Sequence, residues 1–113
     1  MEPIEINAGT WYLRGLRADD RVDDRPALRD GGIDDPGYVA ERARQWADED
    51  HFSWAVCEPT TGEMLAEVGV TPHGTDGVVR GWARPGHADA LAAATDAVRR
   101  FAEGALGLAV ADC

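Results

Sequence analysis

The sequence predicts one α+β domain spanning residues 1–113, with a central, largely antiparallel sheet and two principal helices. Three observations predict it. Phe52–Val70 carries two strand patterns around a turn. Two longer segments, Asp35–Asp50 and Asp89–Leu106, carry apolar residues at helical spacing. The chain has 113 residues, 44% of them hydrophobic and 28% charged, which suits one globular core and not a disordered tail.

In chain order, Trp11–Arg17 reads as the first strand, with Tyr12, Arg14 and Leu16 alternating against Trp11, Leu13 and Gly15. The Asp- and Arg-rich stretch Asp19–Gly32 allows at most a short helix, because Pro26 limits it and Gly31-Gly32 stops it. Asp35-Pro36 has the form of a helix start, an Asp cap followed by Pro in the first helical position. Val39, Ala43, Trp46 and Ala47 then share one face. In the hairpin, Phe52, Trp54 and Val56 alternate against Ser53, Ala55 and Cys57. Pro59–Gly62 turns the chain, and Glu63–Val70 returns it. Thr71–Gly77 reads as a loop and Val78–Ala83 as a short strand. Leu91, Ala94, Val98, Phe101, Ala102 and Ala105 form the stripe of the second helix, with Asp89 as its cap and Gly107 as its stop. Leu108–Ala111 begins a final strand.

Composition narrows the function. The net charge is −10, and all eleven basic residues are arginine. Such a surface repels nucleic-acid phosphates and anionic lipid, so neither nucleic acid nor membrane is an expected partner. No apolar run approaches the ~20 residues needed to span a bilayer. The acidic start, Met1–Glu5, lacks the basic-then-apolar order of a signal peptide, and the expected location is the cytoplasm. Cys57 reads as a small buried hydrophobe. Neither Cys57 and Cys113 nor the three histidines have metal-ligand spacing, so no metal is expected.

The order of elements and three local stretches resemble the GNAT acetyltransferases, in particular the branch that acetylates ribosomal-protein N-termini. LRGLRADD resembles that branch's opening "LRPL…D" strand and turn. WAVCEPTTGEMLAEVGV resembles its central hairpin, and RRFAEGALGL the end of its cofactor helix. The resemblance covers roughly Trp11 to Val110. It implies a GNAT-like sheet truncated at the C-terminus, because the family continues with a further helix and a final strand pair. It also implies an acetyl-CoA loop of the form Q/R-x-x-G-x-G/A, where glycines and the N–H groups of a helix start cradle the pyrophosphate. Here that stretch is Arg84–Ala90, and only Arg84 and Gly86 remain as cofactor-binding candidates. Counting back from Leu106-Gly107-Leu108 puts Asp89 at the family's last glycine, where a carboxylate repels the ligand.

The resemblance further implies that a carboxylate on a central strand, here Glu67, can act as general base. By strand alternation alone, Glu67 reads as solvent-facing. His73 and His87 flank the short strand and form an acid–base pair if their loops converge. Arg80 and Arg84 are of the type that binds phosphate, sulfate or carboxylate, or they serve as internal ion-pair partners. Trp54 and Trp82 read as core residues that can also line a cleft.

The leading expectation is a GNAT-like domain that needs no cofactor and acts as a non-catalytic or co-catalytic subunit of a protein complex. Its Ala-, Gly-, Asp- and Arg-rich composition points to a GC-rich genome, and the expected setting for such a stripped subunit in a bacterium of that kind is specialised biosynthesis. The alternatives are an acetyl-CoA-dependent N-acetyltransferase, and an acidic regulatory protein that binds a basic surface. The expected partner surface is Leu106, Leu108 and Val110, where a second protein or a second copy covers the last strand. Met1–Gly9, in which Ile4 and Ile6 alternate, is the internal segment able to cover that edge instead.

Overall fold

The computed structural model describes residues 1–111. Cys113 lies outside them. Six strands form one sheet in chain order. They are β1 (Ile6–Ala8), β2 (Trp11–Arg14), β3 (Phe52–Cys57), β4 (Met64–His73), β5 (Asp76–Ala83) and β6 (Ala109–Ala111). Helices α1 (Arg25–Asp30) and α2 (Tyr38–Asp48) connect β2 to β3, and α3 (Ala88–Gly104) connects β5 to β6. Each neighbouring pair is antiparallel except β5 with β6, which is parallel. The sheet is therefore largely antiparallel, as expected. A parallel pair needs a crossover, and α3 supplies it.

Helix α3 covers one face of the sheet. Its buried residues, Ala90, Ala94, Ala97, Val98 and Ala102, are small. That lets the helix sit close to the strands, and at β5 the fit is tightest: a Cβ on Gly81 would lie 2.5 Å from the Glu67 carbonyl oxygen and 2.7 Å from Leu91. Phe52, Trp54, Val56, Val68 and Val70 point into this core. Trp46, near the end of α2, joins it: its ring meets Phe52 and Trp54 edge-on at 5.1 Å, and its indole N–H donates to the Ser53 carbonyl oxygen at 2.9 Å. A second cluster lies on the other face. Ala27 and Leu28 of α1 pack there with Ala55, Cys57 and Met64, and Tyr38 and Val39 of α2 border it. Burial pushes the Cys57 thiol up to about 12, in keeping with a packing role.

Several boundaries differ from the sequence reading. Asp35 accepts a hydrogen bond from Gly37 N–H at 2.9 Å, so it shapes a turn, and α2 starts two residues later than Pro36 suggests. Helix α3 starts at Ala88 with His87 at its cap, leaving Asp89 inside the first turn. The expected loop Thr71–Gly77 is mostly strand. A two-residue turn at Gly74-Thr75, with Gly74 at φ +64, suffices to pair His73 with Asp76.

The N-terminal segment does form a strand, but at the opposite edge from β6. It pairs Ile6 with Leu13 and Ala8 with Trp11. The short turn at Gly9-Thr10 leaves it no reach across the sheet. The indole N–H of Trp54 donates to the Ile4 carbonyl at 2.7 Å and fixes the start of the segment there. No helix among the described residues is long and apolar enough to cross a membrane.

Candidate functional site

The face of the sheet opposite α3 is only partly covered. Strand alternation puts Glu67, Gly69 and Thr71 of β4 on it, beside Arg80 and Trp82 of β5. The register pairs Glu67 with Trp82 and Gly69 with Arg80. Helix α2 brings Tyr38 and Arg42 over the Glu67 end, and His51 follows from the α2–β3 connection. Between them lies a cleft of about 230 Å³. Gly69 makes room for the His51 ring, since a Cβ there would lie 2.5 Å from His51 Nε2.

Glu67 is buried, not solvent-facing as its alternation suggested. Both faces of β4 are covered at this point, so the period of two gives no exposure contrast. Its carboxylate is held on three sides. Tyr38 donates its hydroxyl proton, with the oxygen 2.7 and 3.0 Å from the two carboxylate oxygens. Trp82 Nε1–H donates to Oε1 at 3.1 Å. Arg42 Nε lies 3.0 Å from Oε2 as an ion pair. Arg42 also donates to the Tyr38 hydroxyl at 2.6 Å and to Gln45 at 3.0 Å, and its guanidinium sits 4.7 Å from the Tyr38 ring centre. Burial first, and then the Glu67 charge, push the Tyr38 phenol up to about 12, so it stays a donor.

His51 lies further along the cleft, with Nδ1 2.8 Å from Thr71 Oγ1. Burial first, and then the nearby Arg42 charge, push it down to about 4, so the ring is neutral at pH 7. Arg80 is exposed on the same face, and its side chain has no ion-pair or hydrogen-bond partner among the described residues.

The other candidate residues are scattered. His73 ends β4 and His87 caps α3, at opposite ends of β5. Eight strand residues at about 3.3 Å each keep them roughly 25 Å apart, so they form no acid–base pair. Arg84 is turned toward α1, donating to Asp30 at 2.6 and 2.9 Å, to Glu63 at 3.3 Å and to the Met64 carbonyl at 3.1 Å. Gly86 sits in the following turn at φ +88, closed by a bond from His87 N–H to the Arg84 carbonyl. Exposed Asp89 then stands in the first turn of α3. This turn does not fit a pyrophosphate, because its arginine is engaged elsewhere and its helix start carries a carboxylate. Leu108 is buried in the core under α3 and is not available at the surface, contrary to expectation. Leu106 and Val110 are half-buried beside it. Among the described residues no group of three or more His, Cys, Asp or Glu is placed to hold a metal ion.

Two solved structures share this architecture. One is described as a ribosomal-protein-serine acetyltransferase from Vibrio cholerae. It superposes with a TM-score of 0.77 over 96% of this chain and 72% of its own, at 14% identity. The chain has the GNAT acetyltransferase fold. The other, an acetyltransferase from Agrobacterium tumefaciens, matches with a TM-score of 0.64 over 93% of this chain and 70% of its own, at 22% identity. No protein-family model and no curated protein matches the sequence.

The sequence reading singled out Glu67, Arg80 and Trp82 around this site. It missed Tyr38, Arg42, His51 and Thr71. Tyr38 and Arg42 stand at i and i+4 on α2, a spacing that marks them as neighbours, but nothing local links them to a strand 25 or more residues away.

Proposed function

We propose that this GNAT-fold chain works as a binding subunit of a protein complex and does not itself transfer acetyl groups. The observation that carries the reading is the state of Glu67. Both of its oxygens already accept hydrogen bonds from Tyr38 or Trp82, and Arg42 neutralises its charge. A general base must be within reach of the proton it removes, and Glu67 is almost wholly buried among Tyr38, Trp82 and Arg42. The turn before α3 supports the same reading, through Asp89 and the engaged Arg84. The proposed partner docks at the β6 edge, beside the half-buried Leu106 and Val110.

Isothermal titration with acetyl-CoA, together with sedimentation equilibrium at micromolar concentration, tests the proposal. The expected result is no heat of acetyl-CoA binding and a mass above the monomer, alone or with a co-expressed neighbour. Binding in the low-micromolar range, about −8 kcal/mol, would favour an N-acetyltransferase instead. Asp89→Gly is expected to strengthen any residual binding.

A further inference from the structure

The cleft beside Glu67 has a charge balance unlike the rest of the molecule. The chain carries −10 overall. Within the cleft the one carboxylate, Glu67, is compensated by Arg42, and His51 and Thr71 are neutral. Arg80 adds a positive charge that forms no ion pair among the described residues. A guanidinium left over in this way is a planar fork of N–H donors, and a carboxylate accepts from it at two points. The Thr71 hydroxyl lies on the same face, with its hydrogen bond to His51 as an anchor. The Trp82 indole supplies an apolar wall next to the fork, held in place by Glu67.

We infer that this cleft binds the carboxylate of a small organic acid, held by Arg80 with Thr71 beside it and its apolar part against Trp82. One uncompensated guanidinium matches a single negative charge. A phosphate dianion would carry more charge than the cleft balances, on a molecule that already repels anions. The cleft volume, about 230 Å³, accommodates an acid of roughly the size of benzoate.

The test is a titration of the ¹⁵N-labelled chain with benzoate, followed at the Trp82 indole and the Gly69 and Thr71 amides, with benzamide as the uncharged match. The expected result is saturable shifts with benzoate, none with benzamide, and a rise in the His51 pKa on binding, because an anion nearby favours the charged imidazole. Arg80→Gln is expected to weaken benzoate at least about tenfold, the loss of one charge-assisted contact, and Arg80→Lys to recover part of it. Arg25→Gln, remote and exposed, changes nothing. Arg80 has no side-chain partner to lose, so its variants keep the fold. Equal binding of benzamide, indifference to Arg80→Gln, or displacement of benzoate by an equal concentration of inorganic phosphate would each overturn the assignment.

Discussion

Arg14 and Asp24 hold each other at two points, Nη1 to Oδ2 and Nη2 to Oδ1, each at 2.8 Å, and both side chains are almost wholly buried. Asp24 also accepts from Arg17 N–H at 2.7 Å, and Arg14 donates to the Gly62 carbonyl at 3.3 Å. The pair thus ties the end of β2, the start of α1 and the β3–β4 turn into one unit. Removing one partner leaves the other charge buried and uncompensated. Asp24→Ala is expected to lower stability by roughly 3–5 kcal/mol. Asp23→Ala, next door but in an exposed pair with Arg25, is expected to change it far less, because solvent screens that pair. Urea unfolding of the two variants gives the comparison.

His51 makes stability depend on pH in the acid range. Its folded value is pushed down to about 4 from an ordinary 6.5. Between those values the unfolded chain takes up a proton that the folded one refuses. Its contribution is therefore present above about pH 6.5 and lost as pH falls toward 4. His51→Gln is expected to flatten this slope in thermal melts between pH 7 and 4. An unchanged slope would place the acid sensitivity in the carboxylates instead.

Two glycines give opposite expectations. Gly104 ends α3 in open space with no positive φ, and Gly104→Ala is expected to stabilise by up to about 1 kcal/mol. Gly81 abuts the Glu67 carbonyl and Leu91, and Gly81→Ala is expected to cost about 1–3 kcal/mol. Chemical denaturation midpoints at constant m-value distinguish the two.

Trp46 is 1% exposed and fills the junction of α2 with β3. Trp46→Ala is expected to cost about 3–5 kcal/mol, and Trp46→Phe less, because it retains the edge-on contacts and gives up the bond to Ser53. Calorimetric melting temperatures rank the three proteins.

The elements that local sequence determines were legible. Alternation in Phe52–Cys57 and the turn at Pro59–Gly62 set the hairpin, and the alanine-rich stripe set α3. Long-range decisions were not. Nothing near Ile4 says which sheet edge it joins; the Trp54 indole, fifty residues away, decides that. Arg14 was visible as part of a motif, but its role emerges only when Asp24 closes on it. Glu67 was visible as a carboxylate on a central strand. Its burial depends on Tyr38 and Arg42 arriving from α2, which no period in β4 reports.

Because the strands sit in the sheet in the order in which they are made, the chain is suited to folding during synthesis. The β1–β2 hairpin closes over two residues, and the β3–β4 and β4–β5 turns are also short, so each of these strands finds its neighbour already present as it leaves the ribosome. Two closures have to span long stretches. Docking β3 on β2 waits for α1 and α2, and pairing β6 with β5 waits for the whole of α3. The second comes last and joins strands in parallel, and until α3 docks the antiparallel strands β1 to β5 have their α3-facing side bare.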